Sequence, residues 1–203
     1  AAGSMPGELH KLWRVGMADG YHMEYGFSCM GYEVAAGLGV HLADPSRPNV
    51  VFAGDGSYLM LNSDIYSSVL TDKKLIILVL DNGGFAVINK LQNNTGNESF
   101  NNLIADTPTA TTQTGVDFEA HAAAMGANAE TVANPTELAE AFKRAKAADK
   151  TSVIVMNVDA YDGWTTEGHA WWEVGTPEVS DSQRVRDAHT DWESSRPKQR
   201  KGL

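Results

Sequence analysis

Two glycine-flanked polar stretches hold the residues best suited to chemistry: Gly54-Asp55-Gly56, running into Ser57, and, 24 intervening residues after Gly56, Asp81-Asn82-Gly83-Gly84. Asp55 and Asn82 offer hard oxygen donors, the kind that suit Mg²⁺ or Ca²⁺ rather than zinc. The glycines let backbone approach a ligand closely, and the N–H groups of a helix opening at Ser57 would face an anion. No Lys or Arg lies between Gly16 and His41 or between Gly54 and Thr71. An anion held here therefore needs a metal ion to balance its charge, and a phosphate bound with Mg²⁺ meets every one of these demands.

The elements around these stretches decide whether they can meet. Asn49 to Ala53 is a short apolar run feeding the first stretch, and Leu75 to Leu80 is a branched-aliphatic run ending at the second. Both read as buried strands of a parallel sheet. Ligands of doubly wound sheets bind outside the carboxyl ends of the strands, so the two polar turns are expected on one rim. Further helices are expected over Gly31 to Ala43, Ser57 to Thr71, Phe85 to Leu91, Asp117 to Met125 and Pro135 to Ala148. Strands are expected over Ala129 to Ala133 and Ser152 to Val158. The start of the Pro135 helix is well specified by Asn134 as cap, proline in the first turn and Glu137. The alternation predicts an α/β fold, a doubly wound and mostly parallel sheet with helices on both faces. Gln92 to Thr114 reads as a long Asn/Thr-rich loop able to order over a bound substrate. Beyond Val158 the pattern dissolves into a polar tail bearing tryptophans.

The paired turns resemble the motif of thiamine diphosphate enzymes, a Gly-Asp-Gly joined to an Asn pair by one strand-to-strand crossover. By that resemblance Asp55 and Asn82 ligate Mg²⁺ through their side chains and Gly84 through its carbonyl. Gly54, Gly56, Ser57 and Phe85 join Asn82 and Gly84 in holding the cofactor. Asp81 departs from the commoner Asn at its position. Upstream, Tyr25-Gly26-Phe27-Ser28-Cys29-Met30-Gly31 is similar to the segment that grips the aminopyrimidine ring in the acetolactate-synthase-like branch. The Ser28 carbonyl and the Met30 N–H would hydrogen-bond the ring, and the adaptable Met30 side chain would support the bent cofactor. Cys29 belongs to the same segment, as a small buried residue rather than a nucleophile.

The likeness extends further, through residues 3–14, 21–33, 54–62 and 88–92 and the tail Trp171-Trp172-Glu173-Val174. These stretches look like hydrolases that open a cyclic 1,2-diketone in myo-inositol breakdown, giving 5-deoxy-glucuronate with thiamine as the electron sink. The resemblance implies a carboxyl-terminal part of a longer enzyme: residues 1–20 as linker from an upstream domain, 21–160 as the thiamine diphosphate/Mg²⁺ domain, and 161–203 as a tail packing on a neighbouring domain or subunit. It also implies that the activating glutamate lies on a domain outside this chain. Glu24 and Glu33 sit near the ring segment but not in the matching motif. His22 is either a proton shuttle or substrate contact, or a hydrogen-bonded structural histidine.

Composition limits the other classes. With 16 Lys and Arg against 26 Asp and Glu, the net charge of −10 disfavours a nucleic-acid partner. Six of those sixteen cations crowd into the last twenty residues, as in a solvated basic terminus. The longest apolar runs are too short to span a membrane. The single cysteine rules out an internal disulfide, and cytoplasmic residence is expected. Expected partners are the cyclic diketone, the remaining enzyme domains and further copies in a homo-oligomer of two or four. Two alternatives remain open: a synthase or decarboxylase of 2-oxo acids using the same cofactor, and a noncatalytic assembly module.

Overall fold

The computed structural model describes residues 1–107, 115–162 and 175–198. Four strands form one parallel sheet in the order β1-β2-β4-β3: β1 Val50–Gly54, β2 Ile76–Asp81, β3 Asn128–Val132 and β4 Ser152–Asn157. The helices are α1 Ser4–Leu12, α2 Tyr32–Ala43, α3 Asp55–Met60, α4 Asp64–Leu70, α5 Ala86–Asn94, α6 Phe118–Ala124, α7 Pro135–Ala147 and α8 Gln183–Ser195.

Handedness explains the layers. The steps from β1 to β2 and from β2 to β3 cross the sheet in one direction, and the step from β3 to β4 returns. Right-handed crossovers then put α4 and α6 on one face and α7 on the other. The first face buries Val51, Ile77, Val79, Val153 and Val155 against α2, α3, α4 and α6, through Val34, Tyr58, Ile65 and Phe118. The second face buries Ile76, Leu78, Val132 and Ile154 against Ala141 and Ala145 of α7. Both faces of the central strands are covered, and β2 is accordingly apolar at consecutive positions. The doubly wound α/β expectation is met.

Three local expectations need correcting. The helix expected from Ser57 to Thr71 begins instead at Asp55 and is broken in two around Leu61-Asn62-Ser63. Asn62 causes the break, because its side-chain amide donates to the Tyr58 carbonyl (3.0 Å) while its own carbonyl accepts the Ile65 N–H (3.0 Å). The break lets Tyr58 and Ile65, both fully buried, reach the same core. Second, α5 runs on to Asn94, and the following segment is tied down rather than loose. Its Asn102 carbonyl accepts from Phe85 N–H (2.7 Å), Ile104 N–H donates to the Gly83 carbonyl (3.0 Å), and Leu103 is buried. Residues 108–114 of the expected loop lie outside the described residues. Third, the polar tail contains α8, anchored by buried Val185. Residues 1–20 include α1, in which Pro6 is buried. Trp171 and Trp172 lie outside the described residues. Among the described residues no helix is long and apolar enough to cross a membrane.

Candidate active site

Register brings the two polar turns together. Gly54 of β1 pairs with Leu80 of β2, so the chain leaves both strands at the same level of the sheet. From β1 it enters α3 with Asp55 as the first helical residue and no side-chain cap at Gly54. From β2 it enters a turn held by Asp81, whose carboxylate accepts the Gly83 N–H (2.9 Å). Gly83 and Gly84 both have positive φ, at 79° and 142°. At Gly84 a Cβ would strike the Asn102 carbonyl oxygen, so the approach of residues 102–103 depends on a glycine there.

Between the turns lies a cavity of about 190 Å³. Gly54, Asp55, Gly56 and Ser57 line it from the first turn, Asn82, Gly84 and Phe85 from the second, and Met30 from the segment before α2. Gly56 is pressed close beneath two of these residues: a Cβ on it would stand 2.5 Å from the Phe85 ring and 3.2 Å from the Met30 methyl. Eight of the residues expected in the site thus share one cavity.

The other three stand apart from its lining. Ser28 is half-buried with φ 53°, and its hydroxyl donates to the Tyr25 carbonyl (3.2 Å). Cys29 is exposed, against the expectation of a small buried residue, because the turn holding it is open to solvent, with Tyr25, Gly26 and Phe27 exposed as well. His22 is exposed as well, its Nε2 within 2.9 Å of the Tyr32 hydroxyl.

Sequence reasoning missed two contributions to the cavity. One is α1, which supplies Pro6 and Glu8. The Pro and Gly inside Ser4–Leu12 hid that helix from a pattern search. The other is the exit of β4, which supplies Val158, Asp159 and Asp162. This second contribution was available in principle, since the end of a parallel neighbour must arrive at the same rim. Asp159 caps its own turn, accepting the N–H groups of Tyr161 (2.7 Å) and Asp162 (2.6 Å), and these bonds hold its carboxyl below the usual range.

The electrostatics define what the cavity wants. Its described lining includes Glu8, Asp55, Asp159 and Asp162 and no Lys or Arg. Asp55 is only 6% exposed. Burial, with the nearby Asp81 charge adding to it, pushes its carboxyl up to about 6, although the backbone N–H groups of Gly56 and Gly84 pull the other way. In the lining of the same cavity, the Asn82 side-chain oxygen is buried and lacks a hydrogen-bond partner, while its amide nitrogen reaches toward the Ser4 hydroxyl at 3.5 Å. A desolvated carboxylate and an orphaned amide oxygen in one cavity are a donor pair that a hard cation would satisfy. Among the described residues no group of three His, Cys, Asp or Glu side chains is arranged to hold a metal. A cation here would rest on one carboxylate, one amide and backbone or ligand oxygens, which is oxygen chemistry of the Mg²⁺ type rather than a zinc site.

A parallel α/β domain with a glycine-lined cavity at its strand ends is the architecture of a domain that binds a phosphate-bearing cofactor. The family model described as "Thiamine pyrophosphate enzyme, C-terminal TPP binding domain" matches residues 1–156, and the chain belongs to that family. It is 40% identical over 195 residues to 3D-(3,5/4)-trihydroxycyclohexane-1,2-dione hydrolase 2 of Bacillus cereus (strain ZK / E33L), covering 93% of this chain and 30% of the relative. The corresponding hydrolase of Clostridium botulinum (strain Alaska E43 / Type E3) is 39% identical over 197 residues, with the same coverage. The chain therefore spans under a third of the length of these relatives. Among solved structures, benzoylformate decarboxylase from Polynucleobacter necessarius superposes with a TM-score of 0.58 at 26% identity, over 66% of this chain and 25% of the other.

Proposed function

We propose that this chain is the cofactor-diphosphate and Mg²⁺ half-site of a thiamine diphosphate-dependent hydrolase that opens the ring of trihydroxycyclohexane-1,2-dione. The observation that carries the site is a buried, unpartnered Asn82 oxygen sharing a cavity with desolvated Asp55, with no basic side chain among the described lining residues. The identity to hydrolases of that name, over almost the whole chain, carries the substrate.

In this reading Asp55, Asn82 and the Gly84 carbonyl hold Mg²⁺. The N–H groups opening α3 at Gly56 and Ser57 receive the diphosphate. Gly54 and Gly56 keep the floor open, with the Phe85 ring and the Met30 side chain packed over it. Thiamine diphosphate, when bound, supplies the electron sink for breaking a carbon–carbon bond next to a carbonyl. The chain's own contribution is to bind and orient: it gathers negative oxygens around one cation and offers an apolar wall through Met30 and Phe85. His22 lies outside the cavity lining and takes the role of a substrate contact only if another segment closes over it.

The half-site works with the remainder of a longer polypeptide, in a homo-oligomer resident in the cytoplasm. Phe27, 92% exposed, and Tyr25, Leu59 and Met60, all more than half exposed, form apolar surface beside the ring segment that suits cover by another domain or subunit.

A decarboxylase of 2-oxo acids is the second reading, favoured by the solved structures. The superposed benzoylformate decarboxylase shares 26% identity over two thirds of the chain, less on both counts than the hydrolases share. The deciding experiment is calorimetric titration of the full-length protein with thiamine diphosphate, with Mg²⁺ and then with EDTA, followed by turnover of the cyclic dione and of benzoylformate. Metal-dependent binding and dione opening are expected. Benzoylformate turnover without dione turnover would replace the substrate assignment, and metal-independent binding would remove the cation from the site.

A further inference from the structure

Three consecutive backbone N–H groups converge on one carboxylate beside the cavity. Glu24 Oε1 accepts from Phe27 N–H (3.1 Å) and Oε2 from Cys29 N–H (2.6 Å). The Ser28 N–H also faces the carboxylate, and together these bonds hold the Glu24 carboxyl below its usual range. Wrapping a chain around a carboxylate in this way requires a reversal of backbone hand, and the reversal falls at Ser28, whose φ is 53°. A non-glycine residue in that region costs free energy that something else in the turn must offset. At the far end Glu33 Oε2 accepts the Gly31 N–H (3.0 Å), and the Cys29 carbonyl accepts from Tyr32 N–H (3.3 Å), which ties the turn to the first residues of α2.

The consequence lies in what the two carboxylates leave over. Glu24 takes the N–H groups of residues 27, 28 and 29, and Glu33 takes that of residue 31. The N–H of Met30 goes to neither. Its side chain reaches the cavity against Gly56.

We infer that Glu24 is a positioning residue: its carboxylate freezes the Phe27-Ser28-Cys29 turn so that the Ser28 carbonyl and the Met30 N–H are presented, already ordered, to the heterocyclic ring of the bound cofactor. The role rests on the cofactor assignment made above and deepens it. Glu24 touches neither the diphosphate nor the metal. It acts on the half of the ligand that the Asp55 and Asn82 pair does not hold, by removing in advance the entropy cost of ordering a strained turn.

The two halves of the ligand can be separated by experiment. In the full-length protein, E24A and E24Q are titrated with thiamine diphosphate plus Mg²⁺ and, separately, with inorganic pyrophosphate plus Mg²⁺. Amide hydrogen exchange is followed over residues 25–31. E24A is expected to weaken thiamine diphosphate by about tenfold, the effect of losing charge-assisted hydrogen bonds to a preformed turn. Pyrophosphate affinity is expected to stay within about twofold. Exchange at Phe27 and Cys29 should rise, and E24Q, which keeps one acceptor oxygen in place, should fall between E24A and the wild type on both readouts. Equal weakening of both ligands in E24A would mean that Glu24 supports the fold at large, and wild-type affinity for both would mean that the turn needs no carboxylate. Either result overturns the role. Failure of the wild-type protein to bind either ligand would instead overturn the cofactor assignment, and this role with it.

Discussion

Two helices of this domain start directly from the end of a parallel strand, and they start in opposite ways. At α7 a reciprocal cap ties down the helix start. Asn134 Oδ1 accepts the Glu137 N–H (3.0 Å), Glu137 Oε2 accepts the Ala133 N–H (2.9 Å), and proline opens the helix where an N–H would have no partner. At α3 there is no side-chain cap. Glycine precedes and follows a buried aspartate, a second acid stands nearby, and an amide oxygen in the same cavity is orphaned. The α7 junction spends its sequence on stability. The α3 junction leaves its helix start without a side-chain cap and a carboxylate desolvated, and an anion and a cation arriving together would answer both.

The largest expected effect follows from removing the cation's principal ligand. Asp55→Ala should weaken Mg²⁺-dependent binding of thiamine diphosphate by about a hundredfold or more, read by calorimetry, because it deletes the only charged donor of the set. An affinity within about threefold of wild type would show that the α3 junction is as purely structural as the α7 one.

Gly84→Ala should come next, and it acts on stability. A Cβ there would meet the backbone oxygen of Asn102 and the Cα of Leu103, neither of which can swing aside, at a φ of 142° that side chains rarely adopt. A loss of about 2–4 kcal/mol in urea unfolding is expected. Gly56→Ala is a contrast within the same cavity. Its obstructions are the Phe85 ring and the Met30 methyl, side chains that can move, so stability should change little while the cofactor loses its floor.

The α3 junction should also reveal its deficit through pH. Asp55 in the folded protein titrates at about 6, above the ordinary 3.8. Between those values the folded state binds more protons than the unfolded one, so the unliganded protein loses stability as pH rises through the window. Asp55→Asn removes that titration. Without cofactor the variant should be more stable than the wild type at pH 8, by on the order of 1–2 kcal/mol, and the advantage should vanish below about pH 4. An advantage that is independent of pH would trace the gain to packing rather than to the desolvated charge.

Much of this contrast was legible in the residues. The strands and the rim were readable because β1 and β2 are short apolar runs that end abruptly in glycine and acid, and because a single crossover fixes how their ends meet. The α7 start was readable because capping is a local matter of four residues. Other parts depended on contacts distant in sequence. The α3–α4 break hangs on the Asn62 side chain choosing the Tyr58 carbonyl, a choice that the shared core around Tyr58 and Ile65 rewards. In α8 Val185 is the one buried side chain, and its mates at helical spacing, Ala188 and Trp192, are too few among polar residues to announce a helix. The docking of Leu103 against Gly84 joins residues on either side of α5 and leaves no periodic trace. Glu24 lay in plain sight, yet its part in the turn depends on the Ser28 backbone reversing hand, which residue types alone do not announce.

The smallest effect tests the other side of the comparison. Asn134→Ala removes the α7 cap, leaves the Glu137 N–H without its acceptor and strips a partner from the Glu137 carboxylate, which also receives the Asn134 amide (2.8 Å). The site is exposed, so water replaces part of what is lost, and destabilisation should be about 1 kcal/mol by urea or thermal unfolding. Cofactor affinity should not change, because α7 covers the sheet face opposite to that of α3 and lends no residue to the cavity. Were binding to fall with the cap, the two junctions would be coupled through β4, whose Val153 and Val155 face the α3 side while Ile154 faces α7. A double-mutant cycle of Asn134→Ala with Gly56→Ala would then measure that coupling, and additivity within about 0.5 kcal/mol would restore the picture of one junction built for the fold and one held open for its ligand.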